Sequence, residues 1–145
     1  MLLFSCELEL SIIKNWMNNK LIIDAAKHEI FFMIIKNDNK YNITYENNKN
    51  NYEKLALLLE DFLRSQSLDF NKVSQIYVNG GPGSFAGIRN SLSVVKALHL
   101  ANKTEYYCFN FNDFQGESAV KYEDIPNLCK KFKVKKNLIN PVYLS

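Results

Sequence analysis

Apolar residues recur along this chain with a period that changes from block to block, and each change predicts a new element. Leu21-Ile22-Ile23 is an unbroken apolar run closed by Asp24, the pattern of a strand covered on both faces. Glu29 to Lys36 is rich in β-forming residues and Tyr41 to Tyr45 alternates weakly, with Asn37-Asp38-Asn39 as turn chemistry between them. Together they predict a three-stranded antiparallel start. From Asn50 to Gln66 the period becomes helical: Leu55, Leu58, Leu59, Phe62 and Leu63 share one side, and Glu53, Lys54, Glu60, Asp61 and Arg64 the other. Leu57 falls among the charges. Val73 to Asn79 then reads as a strand, a glycine-rich junction leads into a helix from Phe85 to Ala101, and Glu105 to Phe109 reads as the last strand. The order β-β-β-α-β-α-β predicts an α/β domain.

The second helix is apolar round most of its circumference, with Phe85, Ile88, Leu92 and Val95 on one side and Val94 and Leu98 round from it. Ala86, Asn90, Ser93, Ala97 and Ala101 form a stripe of small residues spaced four, three, four and four apart. Such a stripe permits close approach of a neighbour, which is either the first helix of this chain or another subunit.

With 145 residues there is room for one ordinary domain, and a hydrophobic content of 47% supplies its core. The longest apolar runs, Leu55 to Leu59 and Ile30 to Ile35, fall far short of the roughly 20 residues that cross a bilayer. Cys6, Cys108 and Cys129 lack a C-x-x-C spacing and read as ordinary thiols of a cytoplasmic protein. The net charge of +3 is unevenly spread, because Lys130, Lys131, Lys133, Lys135 and Lys136 crowd into seven residues. That run suits either RNA phosphates or a solvated face. Residues 1–16 carry Glu7 and Glu9 in their apolar stretch and lack a basic n-region and a cleavage site, so they make a poor signal peptide. The expectation is a dispensable extension, with Met17 as the functional start.

The junction Gly80-Gly81-Pro82-Gly83-Ser84-Phe85-Ala86-Gly87-Ile88-Arg89 holds four of the five glycines. It is not a P-loop, since Ala86 stands five residues past Gly81 and no lysine follows. Nor is it a dinucleotide fingerprint, since Gly87 comes four residues after Gly83 instead of three. Two readings stay open: an anion cradle at a helix N-terminus, or a tight strand-to-helix turn. Residue for residue, the junction resembles the Gly-Pro-Gly-Ser-Phe-Thr/Ala-Gly-Leu/Ile-Arg signature of the bacterial TsaB family, formerly YeaZ, the dimerisation subunit of the tRNA threonylcarbamoyladenosine (t6A) machinery. The resemblance runs from Leu21 to about Phe109. It returns faintly at Asn140-Pro141-Val142-Tyr143-Leu144-Ser145, which is similar to the family's Pro-x-Tyr-Leu-Arg terminus. The family's helix glycines are replaced by Ser91 and Ala97, and its His-Ser-Glu by Asn51-Tyr52-Glu53.

The resemblance implies an actin-like ATPase or ribonuclease H-like fold with a single lobe over residues 17–110, followed by a vestigial second domain and basic tail over 111–145. It implies a noncatalytic scaffold that pairs with a TsaD-like subunit, with a TsaE-like ATPase acting through the complex. ATP and metal are then expected on partner subunits and no cofactor on this one. Ala86, Asn90, Ser93, Ala97 and Ala101, together with Leu57, become the expected interface. The five lysines become a possible tRNA contact. An independent phosphate-binding or peptidase-like protein, and a decayed fragment that folds as a homodimer, are the alternatives.

Among candidate chemical groups, Asp24 occupies the place of an actin-like first-lobe carboxylate. The following Ala25-Ala26-Lys27-His28 lacks the glycine that would bring backbone N–H groups onto a phosphate, so Asp24 reads as structural or interfacial. His28 and His99 are isolated from other ligand types, and no metal site is expected. Ser84 is expected to cap the second helix through its side-chain oxygen. Arg89, one turn into that helix, opposes the dipole and calls for an anion. A carboxylate of the same fold and an acidic group on a partner are the two candidates.

Overall fold

The computed structural model describes residues 18–144. The extension over residues 1–16, the start at Met17, Cys6 and Ser145 lie outside the described residues. Strands β1 (Asn19–Asp24), β2 (Glu29–Lys36) and β3 (Asn39–Glu46) form the antiparallel start, as the pattern predicts. Strands β4 (Gln75–Asn79) and β6 (Glu105–Phe109) extend the sheet in parallel with β1, giving the order β3-β2-β1-β4-β6. β1 therefore lies in mid-sheet, which is why Leu21, Ile22 and Ile23 are all fully buried.

Two helical crossovers occupy one face. The predicted helix over residues 50–66 is interrupted: α1 (Lys49–Glu53) stops at Lys54, and α2 (Leu55–Ser65) starts afresh. The Asn48 side chain caps α1 by accepting the Asn51 N–H, and Asn51 Nδ2 donates to the Glu46 carbonyl. At the break the Lys54 N–H bonds to the Asn51 carbonyl, three residues back, at 3.2 Å. α3 (Phe85–Asn102) joins β4 to β6 and ends on Lys103 in the left-handed conformation. The preceding strand starts two residues later than the pattern predicts, because residues Phe70–Lys72 form a 3-10 turn held by the Asp69 side chain.

Strand alternation divides the core in two. On the helical face Leu21, Ile23, Phe32, Ile76 and Val78 meet Leu59, Phe62, Ile88, Leu92 and Val95. On the other, Ile22, Met33, Tyr77 and Phe109 meet Phe114, Ile125, Leu128 and Cys129. This second cover comes from residues 111–134, which contain two 3-10 turns, Phe111–Phe114 and Tyr122–Asp124, and helix α4 (Ile125–Lys131). A further two-residue pairing, β5 (Gly83–Ser84) with β7 (Tyr143–Leu144), brings the chain's end back to the glycine junction. No helix among the described residues is long and apolar enough to cross a membrane.

Candidate functional site

The junction begins where β4 ends in the fully buried Asn79. Asn79 Oδ1 accepts the Gly81 N–H at 2.8 Å, the Gly80 N–H goes to the Phe109 carbonyl at 2.8 Å, and the Ser84 N–H goes to the Ala26 carbonyl at 2.9 Å. Pro82, which follows a cis peptide bond, has no N–H to offer. The amides of residues 80, 81 and 84 are thus engaged by the chain itself, as in a tight turn.

Glycine is required because other backbone runs against the loop. Gly81 has φ +122°, and a side chain there would meet the Val142 carbonyl. At Gly87 a Cβ would drive into the Ala25 carbonyl. Ser84 stands at the N-cap of α3 but makes no side-chain cap bond, contrary to the expectation. With φ −60° and ψ 126° it is held by backbone, through Ala26 and the pairing with Leu144.

Asp24 is 1% exposed and accepts three hydrogen bonds. They come from Ala26 N–H at 3.0 Å, Asn79 Nδ2 at 3.0 Å and the Tyr122 hydroxyl at 2.7 Å. Tyr122 stacks on Phe31 with centroids 3.9 Å apart. Burial first, and the adjacent Asp24 charge second, push its phenol well above the ordinary value. Asp24 thereby ties β1, β4, the junction and the cover of the second face into one buried polar cluster. The two residues that complete it escaped sequence reasoning. Asn79 had a signal, an amide closing an apolar strand, whereas Tyr122 lies 98 residues from its partner and had none.

The histidines are apart. His99 Nδ1 is 2.9 Å from the Thr104 carbonyl, and its ring meets Tyr106 edge-on, so it is a packed, hydrogen-bonded residue. His28 is exposed on the β1–β2 loop. No three His, Cys, Asp or Glu side chains come together in a metal-holding group among the described residues. Cys108 and Cys129 are free and buried, and burial pushes the Cys129 thiol up to about 12.

The expected interface residues fall on one accessible side of α3. Ala86 and Asn90 are half-buried; Ser93, Ala97 and Ala101 are exposed. Asn90 Nδ2 donates to the Ala86 carbonyl and Ser93 Oγ to the Arg89 carbonyl, so both polar side chains are turned back on their own helix. Beside them on α3 stand Leu100, 71% exposed, and Phe85, 52% exposed, with the Tyr143 ring 4.8 Å from that of Phe85, while Leu57 on α2 is 60% exposed. A groove of 470 Å³ runs between α3 and the returning C-terminal segment, bounded by Arg89, Ser93, Ala97, Leu100, Ile139 and Tyr143. Arg89 forms no ion pair among the described residues. Its guanidinium lies 5.8 Å from the Phe85 ring centre, and no carboxylate among the described residues pairs with it.

The lysine run does not make one patch. Lys131 pairs with Glu117 at 2.7 Å and Lys136 with Glu105 at 3.0 Å. Lys130 and Lys133 border one cavity, and Lys133 also borders, with Lys135 and Asp113, a second hollow beside Leu138.

No protein-family model matches the chain. Over 80 residues it is 28% identical to the tRNA threonylcarbamoyladenosine biosynthesis protein TsaB of Buchnera aphidicola subsp. Baizongia pistaciae (strain Bp). That match covers 55% of this chain and 36% of the relative, so the similarity spans about a third of the curated protein. Among solved structures, YeaZ from Pseudomonas aeruginosa superposes with a TM-score of 0.59 at 18% identity, covering 64% of this chain and 44% of that one. A Pseudomonas aeruginosa protein with similarity to peptidase YeaZ superposes with the same TM-score and identity, covering 64% and 43%. The fold is the ribonuclease H-like, actin-like one expected from the sequence. The sequence match and the shared fold together support a TsaB (YeaZ) family assignment.

Proposed function

We propose that this chain is a short TsaB-like subunit serving t6A formation on tRNA, and that it acts by pairing with a TsaD-like subunit through α3 and not by catalysis. The observation that supports this reading is the uncovered face of α3. Small residues at 86, 90, 93, 97 and 101 leave its backbone approachable, while Phe85 and Leu100 stand exposed beside them and Leu57 is exposed on α2. Burying one such leucine or phenylalanine contributes roughly 1.5–3 kcal/mol, so a helix laid along this face gains a firm anchor. Arg89, unpaired among the described residues, would meet an acidic group on the partner. In this reading a TsaE-like ATPase joins through the complex, and ATP and metal belong to the partner subunits. The fit is poor for an independent phosphate-binding enzyme, whose loop would have to spare the amides that Asn79, Phe109 and Ala26 already hold.

The test is co-purification of a tagged copy with the TsaD-like protein of the same organism, repeated with Ala97→Arg. Pairing is expected with the parent chain and lost with the variant, whose circular dichroism spectrum and melting temperature should match the parent's because Ala97 is exposed. Pairing that survives the substitution would place the contact elsewhere.

A further inference from the structure

A cavity of 420 Å³ opens at the amino ends of β1 and β4, on the sheet face that α4 covers. This is the end opposite to Asp24 and to the junction, and opposite to where open α/β sheets usually place ligands. Lys20 reaches it because alternation puts Lys20, Ile22 and Asp24 on the same face of β1. Lys130 arrives from the last turn of α4 and Lys133 from the turn that follows. That turn is held by Val134 N–H donating to the Cys129 carbonyl at 2.9 Å.

Three lysines therefore border one cavity, and no carboxylate lines it. Among the described residues none of the three forms an ion pair, whereas the neighbouring Lys131 and Lys136 each have a glutamate. An anion that enters meets cations with no counter-ion of their own among those residues. The rest of the wall is suited to an oxyanion as well. Tyr77 and Tyr107 stack with centroids 5.1 Å apart, and the Tyr77 hydroxyl donates to Gln75 Oε1 at 3.0 Å, so the Gln75 amide nitrogen is left as a donor. Burial holds the Tyr77 phenol above its ordinary value, and the wall stays uncharged.

We infer that this cavity binds a phosphate group through Lys20, Lys130 and Lys133, as one phosphate of an RNA strand crossing the face opposite to α3. The RNA source rests on the tRNA reading proposed above; the phosphate chemistry does not. Because α3 packs on the other face of the sheet, a partner subunit and the phosphate can be held together.

The experiment measures an unmodified anticodon stem-loop RNA by fluorescence anisotropy across a salt series, and inorganic phosphate by calorimetry, on the full chain. Lys20→Gln combined with Lys133→Gln is compared with Lys131→Gln combined with Lys136→Gln, after equal melting temperatures show that both fold. The cavity pair should weaken RNA binding about tenfold and lower the slope of log affinity against log salt by about 1–2. The control pair should change affinity less than twofold. Loss of phosphate binding with RNA binding intact assigns the cavity to a small phosphate ligand and overturns the RNA source alone. Parent-like binding of both probes by the cavity pair, or an equal effect of the control pair, overturns the site. Ala97→Arg should keep phosphate binding, so failure to pair and failure of the cavity are told apart.

Discussion

Replacing Tyr122 by Phe removes one oxygen and leaves the ring on Phe31, so it isolates the hydroxyl that donates to Asp24 at 2.7 Å. Asp24 is almost fully buried, and no solvent can replace the lost donor at Oδ2 without opening the cluster. A hydrogen bond to a charged group is worth about 1.5–3 kcal/mol. At about 2 kcal/mol the melting temperature of a chain this size falls by roughly 6–10 °C. Urea unfolding should show a lower midpoint with an unchanged m-value, and the cycle with Asp24→Asn should give a coupling above about 1 kcal/mol. The substitution also has a pH signature. Burial and the Asp24 charge raise the Tyr122 phenol in the fold above its ordinary 10.0, so the unfolded chain loses this proton first. The contribution is whole below pH 10 and shrinks as pH rises beyond it, so the gap between parent and variant should narrow in alkali. A variant within about 0.5 kcal/mol of the parent at neutral pH, the usual size of a surface effect, would refute the idea that Tyr122 fastens the second-face cover to the end of β1.

Two substitutions at the junction have expected effects that depart from local rules. Gly87→Ala, in a helix where alanine normally gains up to about 1 kcal/mol, should instead cost about 1–3 kcal/mol as the new Cβ drives into the Ala25 carbonyl; thermal melts that rise would contradict the close approach. Ser84→Ala should change stability by less than about 0.5 kcal/mol, because the side chain makes no cap bond. A loss in the capping range of about 0.5–2 kcal/mol in urea titrations would restore the cap.

Much of the fold was legible because periodicity records burial one residue at a time. The run Leu21-Ile22-Ile23 announced a strand covered on both sides, and the leucines and phenylalanine of α2 announced their face. Leu57 could be picked out as exposed for the same reason. The break at Lys54 was not legible, since it lies in the bonding of a single amide, the Lys54 N–H turning to the Asn51 carbonyl at 3.2 Å, and leaves the apolar period on both sides intact. The lysine run was visible as charge but not as geometry: the pairing of Lys131 and Lys136 with glutamates, and the meeting of Lys130 and Lys133 with Lys20, depend on Glu117, Glu105 and Lys20, which lie elsewhere in the chain.

Neighbours along the chain were enough to give the order of the five main strands, the small-residue side of α3 and the place of the junction. What the junction's glycines are for emerges only once the chain is folded. They make room for the carbonyls of Ala25 and Val142, and the amides between them are consumed by Asn79, Phe109 and Ala26. Those partners are brought in by sheet pairing and by the returning C-terminal segment. Hydrogen bonds that close over such distances leave no period behind them in the sequence.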